Sequence, residues 1–310
     1  MQTGPAKVVR ESRGENELRA SANSITHLLT HMPANPFCAA CDAKTRTANH
    51  GGSWSTEEKS YGHIFLDFKI LQAADLMSDA SIENVMAADK QVLVMKDLAT
   101  GFLAAVPTRS RETDEIVKAV RTMGDVVRLL GDNEFESTAT ELSVKIRKSI
   151  PYDHRDNGPA ESAVNVVTAS AKSLLAKCGL PYLFAGNAME AAAQGLNLVM
   201  KNGEGKNPWT LRFGDVEEPK KIIFGSLVKI VRPVDQRRID HPLAPNAADA
   251  IFLGYDIDPE GRVRYKYVLV SDALLQNAKS KIGVARGGDV KVSEDTIFPF
   301  HKLPTDGYAR

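Results

Sequence analysis

Four soft-metal ligands fall close together near the start of the chain: His27, His31, Cys38 and Cys41, in the spacing His-x3-His-x6-Cys-x2-Cys. No other feature constrains the fold as strongly, because one ion would tie this short segment to a single point. On a helix, positions i and i+4 share a face, so both imidazoles can address one ion, while Cys-x2-Cys closes a tight turn that presents two thiolates. Two imidazoles and two thiolates satisfy tetrahedral Zn²⁺. The segment between them, with Pro33 and Pro36, reaches roughly 20 Å when extended, so distance is no obstacle. His50 and His63 are reserve ligands. The chain has 3 cysteines, and Cys178 is the remaining one. An odd, small number excludes a disulfide scaffold and points to an intracellular reducing compartment. Cys178 precedes Gly179 without a nearby histidine and reads as a buried, inert thiol.

The 39 basic residues are matched by 39 acidic ones, so any nucleic-acid contact has to come from local patches rather than from overall charge. Hydrophobic residues at 43% are sufficient for buried cores. The longest apolar run, 92–106, is interrupted by Lys96 and Asp97, so no membrane span is expected, and residues 1–23 lack the apolar centre of a signal peptide. Residues 1–23, polar and aperiodic, read as a flexible lead. Residues 24–44 form the His/Cys unit and 45–60, rich in Gly, Ser and Thr, a linker.

From 61 to 200 the pattern is α/β. Short β-prone runs occupy 62–68, 92–95 and 102–106, a helical stripe follows at 111–123, and 126–130 reads as a further strand. Residues 159–177 form the clearest helix, opened by Asn157, Gly158 and Pro159, and a second helix is expected over 182–200. Residues 202–208 have a linker's composition. An all-β pattern then occupies 208–300, with strands at 222–231, 250–255 and 263–271, as in a small barrel. Residues 301–310 read as a tail.

Three carboxylates sit at strand or element ends: Asp67, Asp132 in Gly131-Asp132-Asn133-Glu134-Phe135, and Glu161 in the first turn after Pro159. Hard oxygens converging from separate elements are suited to Mg²⁺ or Mn²⁺, and a pair of such ions serves phosphoryl transfer.

The order of these features resembles the integrase region of copia-type LTR retrotransposon polyproteins. The resemblance rests on the His-His-Cys-Cys unit, Asp67 on a strand, the segment with Asp132, and Asn157-Gly158-x-x-Glu161 opening a helix. It extends to Gly179-Leu180-Pro181, to Phe224-Gly225, to Ile251-Phe252-Leu253-Gly254-Tyr255 and to Val270-Ser271-Asp272. It implies a ribonuclease H-like mixed-sheet core with Asp67, Asp132 and Glu161 as its metal-binding catalytic triad, a zinc-binding lead and an SH3-like barrel. Asp97 is left out of the triad because it matches a turn between two strands. The implied protein is a nuclear polynucleotidyl transferase that joins element DNA 3′ ends to target double-stranded DNA with Mg²⁺ or Mn²⁺, as a homo-oligomer if active. The alternative is a degenerate, inactive element product that binds nucleic acid. It arises because the 28 residues between Asp132 and Glu161 are fewer than the family usually has. Asn157 and Gly158 would place the helix start beside a phosphate. Lys229, Arg232, Arg237 and Arg238 would supply a basic nucleic-acid stretch.

Overall fold

The computed structural model describes residues 13–43, 61–71, 91–148, 157–231, 245–271 and 282–301. Helices α1 (Arg13–Ser21) and α2 (Ile25–Thr30) come first. The α/β part follows with β1 (His63–Ile70), β2 (Gln91–Asp97), β3 (Leu103–Thr108), α3 (Thr113–Arg121), β4 (Arg128–Gly131), α4 (Glu136–Glu141), β5 (Lys145–Lys148), α5 (Gly158–Cys178) and α6 (Ala185–Val199). Helix α7 (Pro208–Phe213) then leads to β6 (Leu227–Val231), β7 (Ala247–Ile257), β8 (Val263–Leu269), β9 (Gly283–Ala285) and β10 (Val290–Val292).

The first sheet has the order β3-β2-β1-β4-β5, with β1, β2 and β3 antiparallel and β4 and β5 parallel to β1. This mixed sheet is the ribonuclease H-like α/β core that the sequence leads one to expect. Strand β2 is buried along nearly its whole length because helices cover both of its faces, which explains its unbroken apolar run. Residues 145–148, Lys-Ile-Arg-Lys, carry no alternation, and so β5 escapes a hydrophobic reading; its charges suit an exposed sheet edge. At the opposite edge, β3 contains Pro107, which cannot donate to a further strand.

The second sheet is antiparallel, in the order β10-β6-β7-β8-β9, as in an SH3-like barrel. Long β7 pairs with β6 through its first half and with β8 through its second, and the register shifts between Phe252 and Gly254. Gly254 has φ +121°, and a Cβ there would lie 2.9 Å from the Gln194 side-chain oxygen. Strands β9 and β10 are three residues each, too short to register as periodic runs.

Three sequence expectations need correction. Residues 13–21 of the expected flexible lead are helical: α1 lacks an apolar stripe but is held from outside, since Asn35 Nδ2 donates to Leu18 O at 2.7 Å and to Ser21 Oγ at 2.9 Å. Ala22 is buried with Cys38, Ala40 and Cys41. The 202–208 segment is folded rather than linking. Asn202 Oδ1 accepts from the N–H groups of Glu204 and Lys206, and Asn207 caps α7 by accepting from Thr210 N at 2.8 Å. Finally, residues 208–213 are helix rather than barrel, anchored by Trp209, which is 1% exposed and donates from Nε1 to Val216 O. Polar composition mimics a linker wherever side-chain amides, rather than apolar faces, hold the chain.

Helix α6 joins the two sheets. Its Asn197 side chain donates to Leu103 O at 2.7 Å and accepts from Leu103 N at 2.8 Å on β3. One turn earlier, Gln194 donates to Tyr255 O at 2.6 Å and accepts from Tyr255 N at 2.8 Å on β7. Two buried amides thus complete backbone groups on each side, and the hydrophobic clusters run across both sheets.

Candidate metal centres

The His/Cys unit is built locally. Ser24 Oγ accepts from His27 N and caps α2, which runs only to Thr30. His31 therefore lies just past the helix, in the left-handed region at φ 51°, rather than one turn along it. The Cys-x2-Cys turn closes through Cys41 N donating to Cys38 O. All four side chains are buried, and one ligand atom from each lies within 4.8 Å of the others. His31 Nδ1 stands 3.2 Å from Cys38 Sγ and 3.8 Å from Cys41 Sγ, and His27 Nε2 stands 3.4 Å from Cys41 Sγ. Ligands at ordinary Zn–N and Zn–S lengths around a tetrahedron sit about 3.6 Å apart, so this donor set fits one Zn²⁺. The unit is docked, since a Cβ on Gly195 of α6 would meet Leu29 O at 2.7 Å. Among the described residues His63 lies outside this cluster, at the start of β1, where burial lowers its pKa with help from Arg128 and against Asp97. His50 lies outside the described residues.

The acidic set is assembled by the sheet. Asp67 lies on β1 opposite Val94 of β2. Asp132 follows the last residue of β4, and Glu161 occupies the first turn of α5. Phe65 and Leu130 are partners in the β1–β4 pairing and pack with Ala160, which seats the start of α5 above these two strands. Asn157 O accepts from the N–H groups of Ala160 and Glu161, fixing the turn that carries the glutamate. At Gly131 a Cβ would press to 3.0 Å from both Leu66 O and the Phe135 ring, so β4 ends close against β1 only because that residue is glycine.

The Asp67 carboxyl is pushed up to about 6, chiefly by burial, with the negative charges of Asp132, Glu161 and Glu134 adding to the rise; the N–H of Phe68, donating to Oδ1 at 2.7 Å, opposes it. Three carboxylates from separate elements are thus brought into electrostatic reach, an arrangement whose repulsion a divalent cation relieves. Two neighbours escaped the sequence reading. Glu134 joins the acidic group while pairing with Arg111 Nη1 at 2.6 Å, and the Arg111 guanidinium lies 4.8 Å from the centre of the Phe68 ring. Phe68 in turn stacks on Phe135 at 5.6 Å. The only signal for Glu134 was its position two residues after Asp132. Asp97, by contrast, is fully buried and accepts from Thr100 N and Oγ1, as a turn residue should.

The expected nucleic-acid residues divide. Asn157 is buried, and its Oδ1 has no hydrogen-bond partner among the described residues. Gly158 has open space where a Cβ would stand. Lys229 is exposed and paired with Asp249 at 2.7 Å. Arg232, Arg237 and Arg238 lie outside the described residues. Cys178 is wholly buried, its thiol pushed up to about 12 by that burial, and its Cβ would lie 2.3 Å from one added at Gly225. No described helix is long and apolar enough to cross a membrane.

No protein-family model and no curated protein matches the sequence. Solved structures do. The catalytic core domain of BIV integrase is matched at 15% identity and a TM-score of 0.36, over 49% of this chain and 93% of that one. A chain of the simian T-cell lymphotropic virus intasome in complex with PP2A regulatory subunit B56 gamma is matched at 14% identity and 0.41, over 83% and 88%. The HTLV-2 integrase catalytic core domain in complex with magnesium is matched at 16% and 0.35, over 49% and 96%.

Proposed function

We propose that the chain is an integrase-like polynucleotidyl transferase of copia-type LTR retrotransposons, acting in the nucleus on double-stranded DNA as a homo-oligomer. The observation that carries this reading is the convergence of Asp132 and Glu161 on Asp67, from three elements of a ribonuclease H-like sheet. Asp67, Asp132 and Glu161 would hold Mg²⁺ or Mn²⁺, and His27, His31, Cys38 and Cys41 would hold a structural Zn²⁺. Bound divalent ions activate an attacking oxygen and stabilise the leaving one during in-line phosphoryl transfer.

The chain's own residues do the rest. Asp67 must lose its proton to accept a cation, and its raised pKa of about 6 leaves it ionised at neutral pH. Arg111 holds Glu134 beside the centre, so that carboxylate is neutralised in place. The start of α5, open at Gly158, favours the phosphate whose ester bond is exchanged for one to the attacking 3′-hydroxyl. The test is strand transfer of a donor 3′ end into a duplex with Mg²⁺ or Mn²⁺, abolished by Glu161→Gln. Metal-dependent nicking without joining would make the chain a nuclease. DNA binding with neither activity would leave the degenerate, inactive element product standing.

A further inference from the structure

A cavity of about 350 Å³ opens between the end of β3 and α3, lined by Val106, Pro107, Thr108, Arg109, Glu115, Lys118 and Ala119. Its chemistry is lopsided. The Glu115 carboxylate is already engaged, accepting from the backbone N–H groups of Arg109 at 3.0 Å and Ser110 at 2.9 Å. Arg109 and Lys118, both exposed, make no ion pair among the described residues. Thr108 is 5% exposed and its Oγ1 has no hydrogen-bond partner there. A buried hydroxyl without a partner carries a desolvation cost that an incoming polar atom would remove. Two uncommitted cations above it specify a negative one.

Thr108 pairs with Gln91, which pairs with Ile70, so the pocket stands beyond Asp67 in the direction in which β1 runs. Three residues along is an odd step, so Thr108 and the cavity lie on the face that packs against α3, whereas Asp67 faces α5 on the other side of the sheet. Arg111 reaches from the same loop to Gln91 and Glu134 and lies over the Phe68 ring on the cavity's side of the sheet.

We propose that this cavity is a nucleotide-phosphate subsite: Arg109 and Lys118 pair with the phosphate, Thr108 Oγ1 hydrogen-bonds to one of its oxygens, and the apolar floor of Val106, Pro107 and Ala119 takes the attached sugar. The volume exceeds what a bare oxyanion needs, which favours a nucleotide. The phosphate's source, a DNA backbone or a free nucleotide, is the part of the proposal that rests on the integrase-like reading.

The experiment uses the full chain. Duplex binding is measured across a salt series for the wild type, for an Arg109→Ala, Lys118→Ala double variant and for Thr108→Val, and deoxyadenosine 5′-monophosphate is titrated into each and followed by phosphorus NMR. With a DNA source, the double variant lowers the slope of log K against log [salt] by about 0.9, one phosphate contact. Thr108→Val then weakens duplex binding about 2- to 10-fold with the slope unchanged. With a free-nucleotide source, the slope stays constant and the monophosphate binds only to chains that keep both cations. A double variant unchanged in both measurements overturns the subsite. Asp67→Asn separates this from the integrase-like reading: it abolishes strand transfer without altering the slope, and if the wild type binds no duplex at all the nucleotide titration still decides the pocket.

Discussion

His27, His31, Cys38 and Cys41 are drawn from one short stretch of chain, whereas Asp67, Asp132 and Glu161 come from β1, the end of β4 and the start of α5. The first centre needs only a capped turn of helix and a tight Cys-x2-Cys turn; its neighbours in sequence are its neighbours in space. The second exists only when β1 and β4 pair in parallel and Ala160 settles on Phe65 and Leu130. The soft centre is buried and assembled from groups that attract a common ion, while the hard centre places like charges together and raises the pKa of Asp67. A local centre depends on its ion, and a non-local one depends on its scaffold.

The largest effect expected to expose that difference is removal of zinc. Binding free energies for structural zinc in small peptide units run at about 10–16 kcal/mol, so chelation, or Cys38→Ser, should melt residues 13–43 and reduce bound zinc from one ion per chain to none. Hydrogen exchange should then show Leu28 and Leu29 losing protection while β1 and β2 keep theirs. Equal loss in β2 would show that the docking of α2 on Gly195 of α6 makes the two regions one cooperative unit.

Ala160→Leu attacks the other side of the comparison. Ala160 is fully buried between Phe65 and Leu130, so overpacking there should cost about 1–3 kcal/mol in denaturant unfolding and displace Glu161. Zinc content should be untouched. Affinity of the acidic set for Mn²⁺, read by electron paramagnetic resonance, should fall; an unchanged affinity would mean that the seating of α5 does not control the centre.

Asp67→Asn should act with the opposite sign on stability. With a native pKa of about 6 against an ordinary 3.8, the folded chain holds this proton more tightly than the unfolded one. The cost is therefore fully present above pH 6 and vanishes as the pH falls below about 4. The shift corresponds to about 3 kcal/mol unscreened, and with Asp67 only partly buried, of the order of 1 kcal/mol is expected as stabilisation at pH 7. In thermal melts the wild type should gain on the variant between pH 7 and 5; parallel curves would remove the electrostatic account. Over the same range Mn²⁺ affinity of the wild type should weaken as protons compete for Asp67.

Lys229→Ala should do least. Its pairing with Asp249 is exposed, so a change within about 0.5 kcal/mol is expected in the same melts, with neither metal centre altered. A larger loss would show that this cross-strand pair between β6 and β7 contributes more than solvation.

Much of the core was legible because burial on both faces forces continuous apolar runs, as in β2, and because Pro159 and Gly179 mark the two ends of α5. What escaped lacks an apolar signature. Strand β5 is Lys-Ile-Arg-Lys and carries no apolar alternation, β9 and β10 are three residues long, and α1 is a polar helix held by Asn35. The same holds for the sites. All four zinc-capable ligands could be named from spacing, but the helical i, i+4 geometry expected for the histidines gave way to a left-handed turn at His31. The Arg111–Glu134 pair beside Asp67 could not be read, since its partners meet only when α3 and the end of β4 lie on one sheet.

By itself the sequence determined what depends on neighbours along the chain: the chemistry of the His/Cys segment, the strand and helix character of the long apolar elements, and the positions at which a carboxylate could stand. The tertiary structure decided how far apart those carboxylates are. It also decided that two sheets share cores through Gln194 and Asn197, and that Thr108, Arg109 and Lys118 border one cavity. Backbone propensity and metal-ligand spacing act over a few residues, whereas charge repulsion, parallel pairing and buried amide contacts depend on distances that only the folded chain sets.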